Sequence, residues 1–181
     1  GHGIGLVRNV RVPVEDAHPA DLLRILQNNL AFSNRRAGIN SNSANCLINV
    51  YNNTIYANGL HGIWIFTEDL AYIFRNNVSF GNVSGYDYLS STQVNYTIDH
   101  NSYDPEWQPA GVVVTAADFV SITPTGVDGA RQSDGSLPVI TFLHLAADSD
   151  LRAAGVAIAG LTTDGDGEDW EDPPSIGAFE Y

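Results

Sequence analysis

The sequence predicts an all-β protein, a right-handed parallel β-helix built from 24-residue coils. Its main signal is a repeat: NNLAFSN at 28–34 returns as NNTIYAN at 52–58 and as NNVSFGN at 76–82, each time 24 residues later. Fixed periods of this length indicate a repeat architecture. Within each period the apolar residues alternate with period two between glycines and asparagines, which is typical of short strands and turns. A 24-residue period has no room for a crossover helix in addition to its strands.

Each coil is predicted to contain three short strands. The first lies inside the asparagine motif, the second around Gly38 and its counterpart Gly62, and the third in NCLINVY at 45–51 and DLAYIFR at 69–75. Neighbouring coils of such a helix lie about 4.8 Å apart. Each side chain is therefore expected directly above its counterpart one coil earlier.

The repeated asparagines are expected to form a column. Asn29, Asn53 and Asn77 would stack so that each amide donates to the next and pairs the polar backbone at a tight bend. A weaker fourth return, HNSYD, begins at His100. Parity leaves open which side of the strand is inside, but size favours asparagine inward, together with Ala31, Ile55 and Ser79. The aromatic side chains would then stack on the opposite side: Phe32, Tyr56 and Phe80.

The period ends in the last third of the chain. We predict coils over residues 1–109 and a capping segment of the same domain, irregular in structure, over residues 110–181, because an open coil end would expose unpaired strand edges. The spacing also predicts an inserted loop over Val7–Ala20. Such a loop either shapes a binding face or is a plain surface excursion.

Composition limits the partners. The chain has 181 residues and a net charge of −13, and its eight basic residues are all arginines. It should not bind nucleic acid through its overall field, and it needs a cation or a local arginine cluster to hold a polyanion. No apolar run approaches the roughly 20 residues of a membrane span.

Candidate binding residues lie near the second strand of the coil. Arg35 and Arg36 precede Gly38, where guanidinium groups could bind a carboxylate in bidentate fashion, or simply solvate the turn. Gly5, Asn40 and Trp64 fall in one column on the expected outer face. An indole and an amide suit a sugar ring and its hydroxyls, although plain surface packing explains them as well. His61, beside Gly62, fits a turn residue better than a catalyst.

An acidic segment, DGDGEDWED at Asp164–Asp172, offers carboxylates near the C-terminus. Oxygen-rich loops of this kind can hold calcium, here through Asp164, Asp166 and Glu168. The competing interpretation is a solvated loop. It is favoured because an EF-hand calcium loop has glycine at its sixth position, whereas this segment has Asp169 there.

The order of the motifs resembles the C-terminal half of polysaccharide lyase family nine, whose members are pectate-lyase-like β-helices. The resemblance rests on GHGIGL, NNLAFSNRRAGINSN, YNNTIYANG, FRNNVSF, DGSLPVITFLHLAADSDLRAAG and a closing IGAFEY. It implies an extracellular enzyme that cuts acidic, uronic-acid-containing polysaccharide by β-elimination with calcium and a lysine base. The alternative is a non-catalytic carbohydrate-binding or surface-structural module.

The resemblance places Gly5 where the family has its lysine base, and it places the calcium-binding aspartates upstream of residue 1, on further N-terminal coils. Three explanations stay open: the catalytic coils lie in another segment, the enzyme uses another base, or the protein is not a lyase. Without lysine the remaining candidate bases are Arg8, Arg11, Arg35 and Arg36. A neutral arginine is costly, so binding is the better role for these residues. The sequence assigns neither a catalytic residue nor a metal ligand.

Overall fold

The computed structural model describes residues 4–7, 23–42, 47–66, 72–84, 88–89, 96–102 and 107–181. The predicted insertion over Val7–Ala20 lies outside these residues except for Val7, and so do Arg8 and Arg11.

The described strands form three parallel sheets that run along the coil axis. Sheet 1 contains β1 (Ile4–Val7), β4 (Ile39–Asn42), β7 (Ile63–Phe66) and β10 (Tyr88–Leu89). Sheet 2 contains β2 (Leu23–Gln27), β5 (Leu47–Tyr51), β8 (Tyr72–Arg75) and β11 (Tyr96–Asp99). Sheet 3 contains β3 (Leu30–Phe32), β6 (Thr54–Tyr56) and β9 (Val78–Phe80).

The pairing register follows the sequence period. Leu30 pairs with Thr54 and Thr54 with Val78 in sheet 3, while Ile39 pairs with Ile63 in sheet 1. Every one of these partners is 24 residues away. The predicted parallel β-helix with three strands per coil is confirmed.

The predicted asparagine column is also confirmed, and it extends one coil further. The Nδ2 of Asn29 donates to Oδ1 of Asn53 at 2.9 Å, Asn53 donates to Asn77 at 2.9 Å, and Asn77 donates to Asn101 at 2.9 Å. Asn53, Asn77 and Asn101 are completely buried. Their neighbours Ala31, Ile55 and Ser79 are buried as well, so asparagine faces inward as its size suggested.

The other two asparagines of each motif have roles that the sequence analysis did not assign. Asn34, Asn58 and Asn82 form a second amide ladder, with 2.9 Å between each Nδ2 and the next Oδ1. The first asparagine of each motif has a left-handed backbone, with φ of 55° at Asn28, 49° at Asn52 and 56° at Asn76. Asparagine tolerates this conformation better than most residues, which explains its return at each corner.

The interior of the coils is apolar between the amide ladders. Ile39, Ile48, Val50, Ile55, Ile63, Ile65 and Phe74 are at most 1% exposed and form one cluster. Burial of apolar area contributes about 25 cal/mol per Å², so this cluster supplies the hydrophobic driving force for folding. The amide ladders supply hydrogen bonds to the backbone groups at the bends.

Residues 107–181 run along the coils with little regular structure. They contain a short 3₁₀ helix at Ala116–Asp118 and isolated strand bridges. Within the predicted aromatic column, Tyr56 and Phe80 stack at 5.4 Å. Two aromatic residues of the C-terminal segment cover this column: Phe119 stacks on Phe80 at 5.8 Å, and Phe142 meets Phe32 edge-on at 4.8 Å. The exact division at residue 109 stays a prediction.

The left-handed corners hold this segment in place. The Nδ2 of Asn28 donates to the carbonyl of Thr163 at 2.8 Å, that of Asn52 to Ser175 at 3.3 Å, and that of Asn76 to Val156 at 2.7 Å. The same residues therefore shape the coil corner and bind the C-terminal segment. Among the residues that the structure describes, no helix has the length and apolarity needed to span a bilayer.

Candidate functional site

The predicted column of Gly5, Asn40 and Trp64 lies on the outer face of sheet 1. Gly5 pairs with Asn40 and Asn40 pairs with Trp64 in the parallel register. Their strand neighbours, Ile39, Ser41, Ile63 and Ile65, are completely buried. Because side chains alternate along a strand, the side chains of Asn40 and Trp64 point away from the core. Trp64 is half-buried, whereas Asn40 is almost completely buried, with 7% of its surface exposed.

Arg36 joins this face from the preceding turn. Its guanidinium carbon lies 5.0 Å from the centroid of the Trp64 ring, within the range of a cation–π contact. The carbonyl of Arg36 accepts from the N–H of Leu60 at 2.9 Å, which fixes the two coils against each other at this turn. Arg36 is exposed, and a guanidinium has five N–H donors with which it can bind a carboxylate while it lies over an indole.

The structure thus brings together three of the four predicted binding residues: Arg36, Asn40 and Trp64. Arg35 is exposed at the same turn, and among the described residues the cation–π contact with Trp64 is made by Arg36 and not by Arg35. The roles of all four in substrate binding stay predictions.

His61 was expected only as a turn residue, and it does precede β7. It is also part of this face, since its ring centroid lies 5.4 Å from that of Trp64 with the two planes tilted by 52°. His61 is 7% exposed, and its Nδ1 lies 3.0 Å from the hydroxyl of Ser84 on the next coil. The sequence signal that could have found it is its position three residues before Trp64.

One residue of the acidic segment at 164–172, Asp164, serves the fold. Asp164 is 7% exposed. One of its oxygens accepts from the backbone N–H of Asp166 at 2.8 Å and of Glu168 at 2.9 Å, and the other accepts from Glu180 at 2.9 Å. The solvated-loop interpretation therefore holds for most of the segment, where Asp166, Glu168 and Asp169 are exposed, and fails for Asp164, whose carboxylate accepts from three backbone amides.

The calcium interpretation of this segment gains no support either. Within the part of the chain that the structure describes, no group of three or more histidine, cysteine, aspartate or glutamate side chains is placed to hold a metal ion. The described residues do not fit a calcium site.

A cavity of about 430 Å³ lies between the coil corner at Asn52 and Asn76 and the C-terminal segment. Its wall includes Trp170 with the carboxylates of Asp169, Glu171 and Asp172, and none of the described residues lining it is basic. Like charge disfavours a uronate there. The outer face of sheet 1, which offers a guanidinium beside an indole, is the better candidate for an acidic sugar.

A second charged group lies away from this face, on sheet 2. The Nε of Arg75 donates to both carboxylate oxygens of Asp99, at 2.9 and 3.0 Å, and Nδ1 of His100 lies 3.0 Å from the same carboxylate. Burial raises the pKa of the adjacent Tyr51 hydroxyl, although Arg75 and a hydrogen bond with Asn49 oppose the shift. The arginine is paired with its own carboxylate, so this group competes poorly for an anionic ligand.

Comparison with known proteins agrees with the fold and the motifs. No family model matches the chain. The chain is 33% identical over 154 residues to pectate lyase L of Dickeya chrysanthemi, covering 83% of this chain and 32% of that protein. It is 33% identical over 138 residues to pectate lyase L of Paenibacillus polymyxa (strain SC2), covering 72% and 28%.

A solved structure shows the same likeness. The crystal structure of pectate lyase Pel9A superposes with a TM-score of 0.60 and 29% identity, over 86% of this chain and 35% of that chain. The chain spans about a third of the length of these relatives. It is therefore a pectate-lyase-like parallel β-helix, similar in sequence and fold to part of the polysaccharide lyases of family nine.

Proposed function

We propose that this protein is an extracellular polysaccharide lyase that cleaves uronic-acid-containing polysaccharide by β-elimination on the outer face of sheet 1. The observation that carries the proposal is the stacking of Arg36 on Trp64, at 5.0 Å, in the column that begins with Gly5. The likeness to pectate lyases supports the substrate class.

Binding follows from the chemistry of a uronate, which carries a sugar ring and a carboxylate. Trp64 supplies a flat apolar surface for the ring, Arg36 supplies a charge-assisted donor for the carboxylate, and Asn40 supplies an amide at the base of the face. Arg35, exposed beside Arg36, takes the carboxylate of a neighbouring residue of the polymer. With a net charge of −13, the protein repels a polyanion at long range, so these local cations are needed to hold it.

The reaction removes the proton alpha to the carboxylate. The electron pair of that C–H bond becomes a carbon–carbon double bond, the bond from the neighbouring carbon to the glycosidic oxygen breaks, and that oxygen takes up a proton. Negative charge collects on the carboxylate side as the proton leaves. A guanidinium held against the carboxylate favours this charge, which gives Arg36 a second role beyond binding.

Calcium is the cofactor that the family resemblance implies. The described residues hold no group of carboxylates suited to it, so no step here is assigned to a metal. We propose that any calcium ligands lie outside the described residues.

The test is the ultraviolet absorbance of unsaturated uronide products during incubation with polygalacturonate and other uronic-acid polymers. Parallel samples contain calcium or a chelator, which reports the metal requirement directly. The proposal predicts a rise with at least one acidic polymer and none with a neutral glucan. No rise with any uronic-acid polymer, with calcium present, would refute a lyase.

A specific observation favours the second candidate, a non-catalytic carbohydrate-binding module. Gly5 stands at the position that the resemblance assigns to the lysine base, and the chain contains no lysine. Such a module would bind uronic-acid oligomers in calorimetry while releasing no unsaturated product. Measuring both quantities on the same preparation separates the two functions.

A further inference from the structure

We propose that Gly59 is a positioning residue for the binding face. Because it has no side chain, the Arg35–Arg36 turn lies close to the next coil, and Arg36 is held over Trp64. The proposal rests on the proposed binding of a uronate by Arg36, and it names the residue that makes this face select acidic over neutral sugars.

Gly59 lies on the coil after Arg35, 24 residues further along the chain. Its N–H donates to the carbonyl of Asn34 at 2.8 Å, and the N–H of Leu60 donates to the carbonyl of Arg36 at 2.9 Å. The carbonyls on both sides of Arg35 are therefore bonded to the next coil. These two bonds draw the turn against the backbone of Gly59.

The approach at this turn leaves no room for a side chain. A Cβ on residue 59 would lie 2.5 Å from the carbonyl oxygen of Arg35 and 3.2 Å from that of Asn34. Both oxygens belong to the backbone, so no side-chain rotation could relieve the clash. The φ angle of Gly59 lies outside the left-handed region, so space and not backbone conformation requires glycine. Any larger residue must push the two coils apart at this turn.

The turn is anchored at both of its ends. The backbone N–H and the Nδ2 of Asn34 both donate to Oδ1 of Asn58, at 3.1 and 2.9 Å. Ala37, at the other end, is completely buried. The two residues between these anchors, Arg35 and Arg36, are exposed. They are therefore the part of the turn that an added Cβ displaces.

The position of Arg36 decides how the face binds. Its guanidinium carbon lies 5.0 Å from the centroid of the Trp64 ring, and the two residues belong to different coils. The contact therefore depends on how closely those coils approach at the turn. A displaced guanidinium is no longer prearranged for a carboxylate, and preorganisation lowers the cost of binding. Trp64 would keep its surface for a neutral sugar ring.

The next coil provides an internal comparison. The residue 24 positions after Gly59 is Val83, whose N–H donates to the carbonyl of Asn58 at 3.0 Å and which is 76% exposed. A side chain is therefore accommodated at the equivalent position one coil later. The need for glycine is specific to the coil that lies against Arg35.

The test is a double-mutant cycle with Gly59→Ala and Arg36→Ala in the full chain. Calorimetric titration measures the affinity for a galacturonate oligomer and for a neutral oligomer of the same length. Gly59→Ala should weaken binding of the acidic oligomer by about two- to fivefold, the range of an exposed cation–π contact, and leave binding of the neutral oligomer unchanged. In the Arg36→Ala background it should have no further effect, because it acts through Arg36.

Gly165→Ala is the matched control. Its Cβ would also meet a backbone carbonyl, that of Ala178 at 3.0 Å, but in the C-terminal segment. This variant should lower the melting temperature and keep both affinities. Folded Gly59→Ala with full affinity for the acidic oligomer, or an equal loss with and without Arg36, would overturn the positioning role and leave the face intact. Failure of the unsubstituted protein to bind the acidic oligomer would overturn the proposed function as well.

A second measurement covers the case in which Gly59→Ala does not fold. Amide hydrogen exchange of the unsubstituted protein reports local opening. The N–H groups of Gly59 and Leu60 should exchange slowly although Gly59 is exposed, because both are bonded to the preceding coil. Rapid exchange of both would show that the turn is not held against Gly59, which would contradict the proposal.

Discussion

The guanidinium carbon of Arg36 lies 5.0 Å from the centroid of the Trp64 indole, although the two residues belong to different coils. Through this contact, an arginine in a turn and a tryptophan in a strand form one surface that combines positive charge with an aromatic face. The period of the sequence brings them together, because Asn40 and Trp64 are paired in the parallel register and Arg36 lies at the turn leading into the strand of Asn40. We expect this surface to select acidic sugars.

Arg36→Ala should weaken binding of a uronic-acid oligomer by about tenfold or more, because charge-assisted hydrogen bonds contribute about 1.5–3 kcal/mol. Calorimetric titration measures the change. Arg152→Ala is the matched control, since its guanidinium also lies over an aromatic ring, that of Tyr181 at 3.4 Å, but in the C-terminal segment. Equal losses in the two variants would show that Arg36 has no special role.

Trp64→Ala should lose affinity for acidic oligomers more severely than Trp64→Phe, since a smaller aromatic ring keeps part of the stacking surface and of the contact with Arg36. An aromatic contact of this kind is worth about 0.5–2 kcal/mol. The same titration checks it, with the melting temperature as evidence that both variants fold. Identical affinities for the two variants would argue against stacking.

Asn53→Ala should destabilise the protein by about 3 kcal/mol or more, because it removes a buried side chain that serves several partners. Its Nδ2 donates to the carbonyls of Leu26 at 3.0 Å and Tyr51 at 2.9 Å, and its Oδ1 accepts from the backbone of Asn29 at 3.1 Å. Asn29→Ala, at a half-buried position of the same column, should cost about 1 kcal/mol. Urea unfolding gives both values, and a larger loss for Asn29→Ala would contradict the ladder account.

The ladder shows what the sequence could predict. A strict period reports which residues become neighbours across coils, so strands, register and the Asn29–Asn53–Asn77 column followed from spacing alone. The same 24-residue spacing also relates Asn34, Asn58 and Asn82, but the sequence analysis predicted a ladder only for the first set of asparagines. Contacts between the coils and residues 107–181, such as Asn76 with Val156, have no period and could not be read in advance.

The site was predictable only in part for a related reason. Register placed Asn40 beside Trp64, but the stacking of Arg36 depends on a side-chain conformation that spacing does not report. His61 lies at the turn before β7 as expected, but its contacts with Trp64 and Ser84 could not be read from the sequence because they depend on side-chain conformation and on the next coil. Asp164 was misjudged because a carboxylate that bonds backbone amides looks, in sequence, like one that faces solvent.

Asp166→Asn should increase the free energy of unfolding at neutral pH relative to that of the unsubstituted protein. Burial raises the pKa of Asp166, nearby Asp164 and Glu168 add to the shift, and His144 opposes it. The folded state therefore binds the proton more tightly than the unfolded state, and stability falls as pH rises from the unfolded pKa through the raised folded pKa. The asparagine variant lacks this loss, so its advantage should appear above that window and vanish below it.

Asp134→Asn is the control of opposite sign. Hydrogen bonds from the Ser136 side chain and backbone lower the pKa of Asp134, so its stabilising effect is present above the unfolded pKa and is lost as pH falls through the folded pKa. Denaturation midpoints measured across the acidic range should move in opposite directions for the two variants. Parallel changes would contradict the assigned causes of the shifts.

The most direct test of the binding face uses the chain's three tryptophans, Trp64, Trp107 and Trp170, as reporters. Nitrogen-15 spectra resolve their indole N–H signals, and Trp64→Phe assigns the one that matters. Titration with a galacturonate oligomer should shift the Trp64 signal and leave Trp107 and Trp170 in place, while a neutral oligomer of the same length should have much less effect. A shift at Trp170 instead, or none at Trp64, would contradict the account.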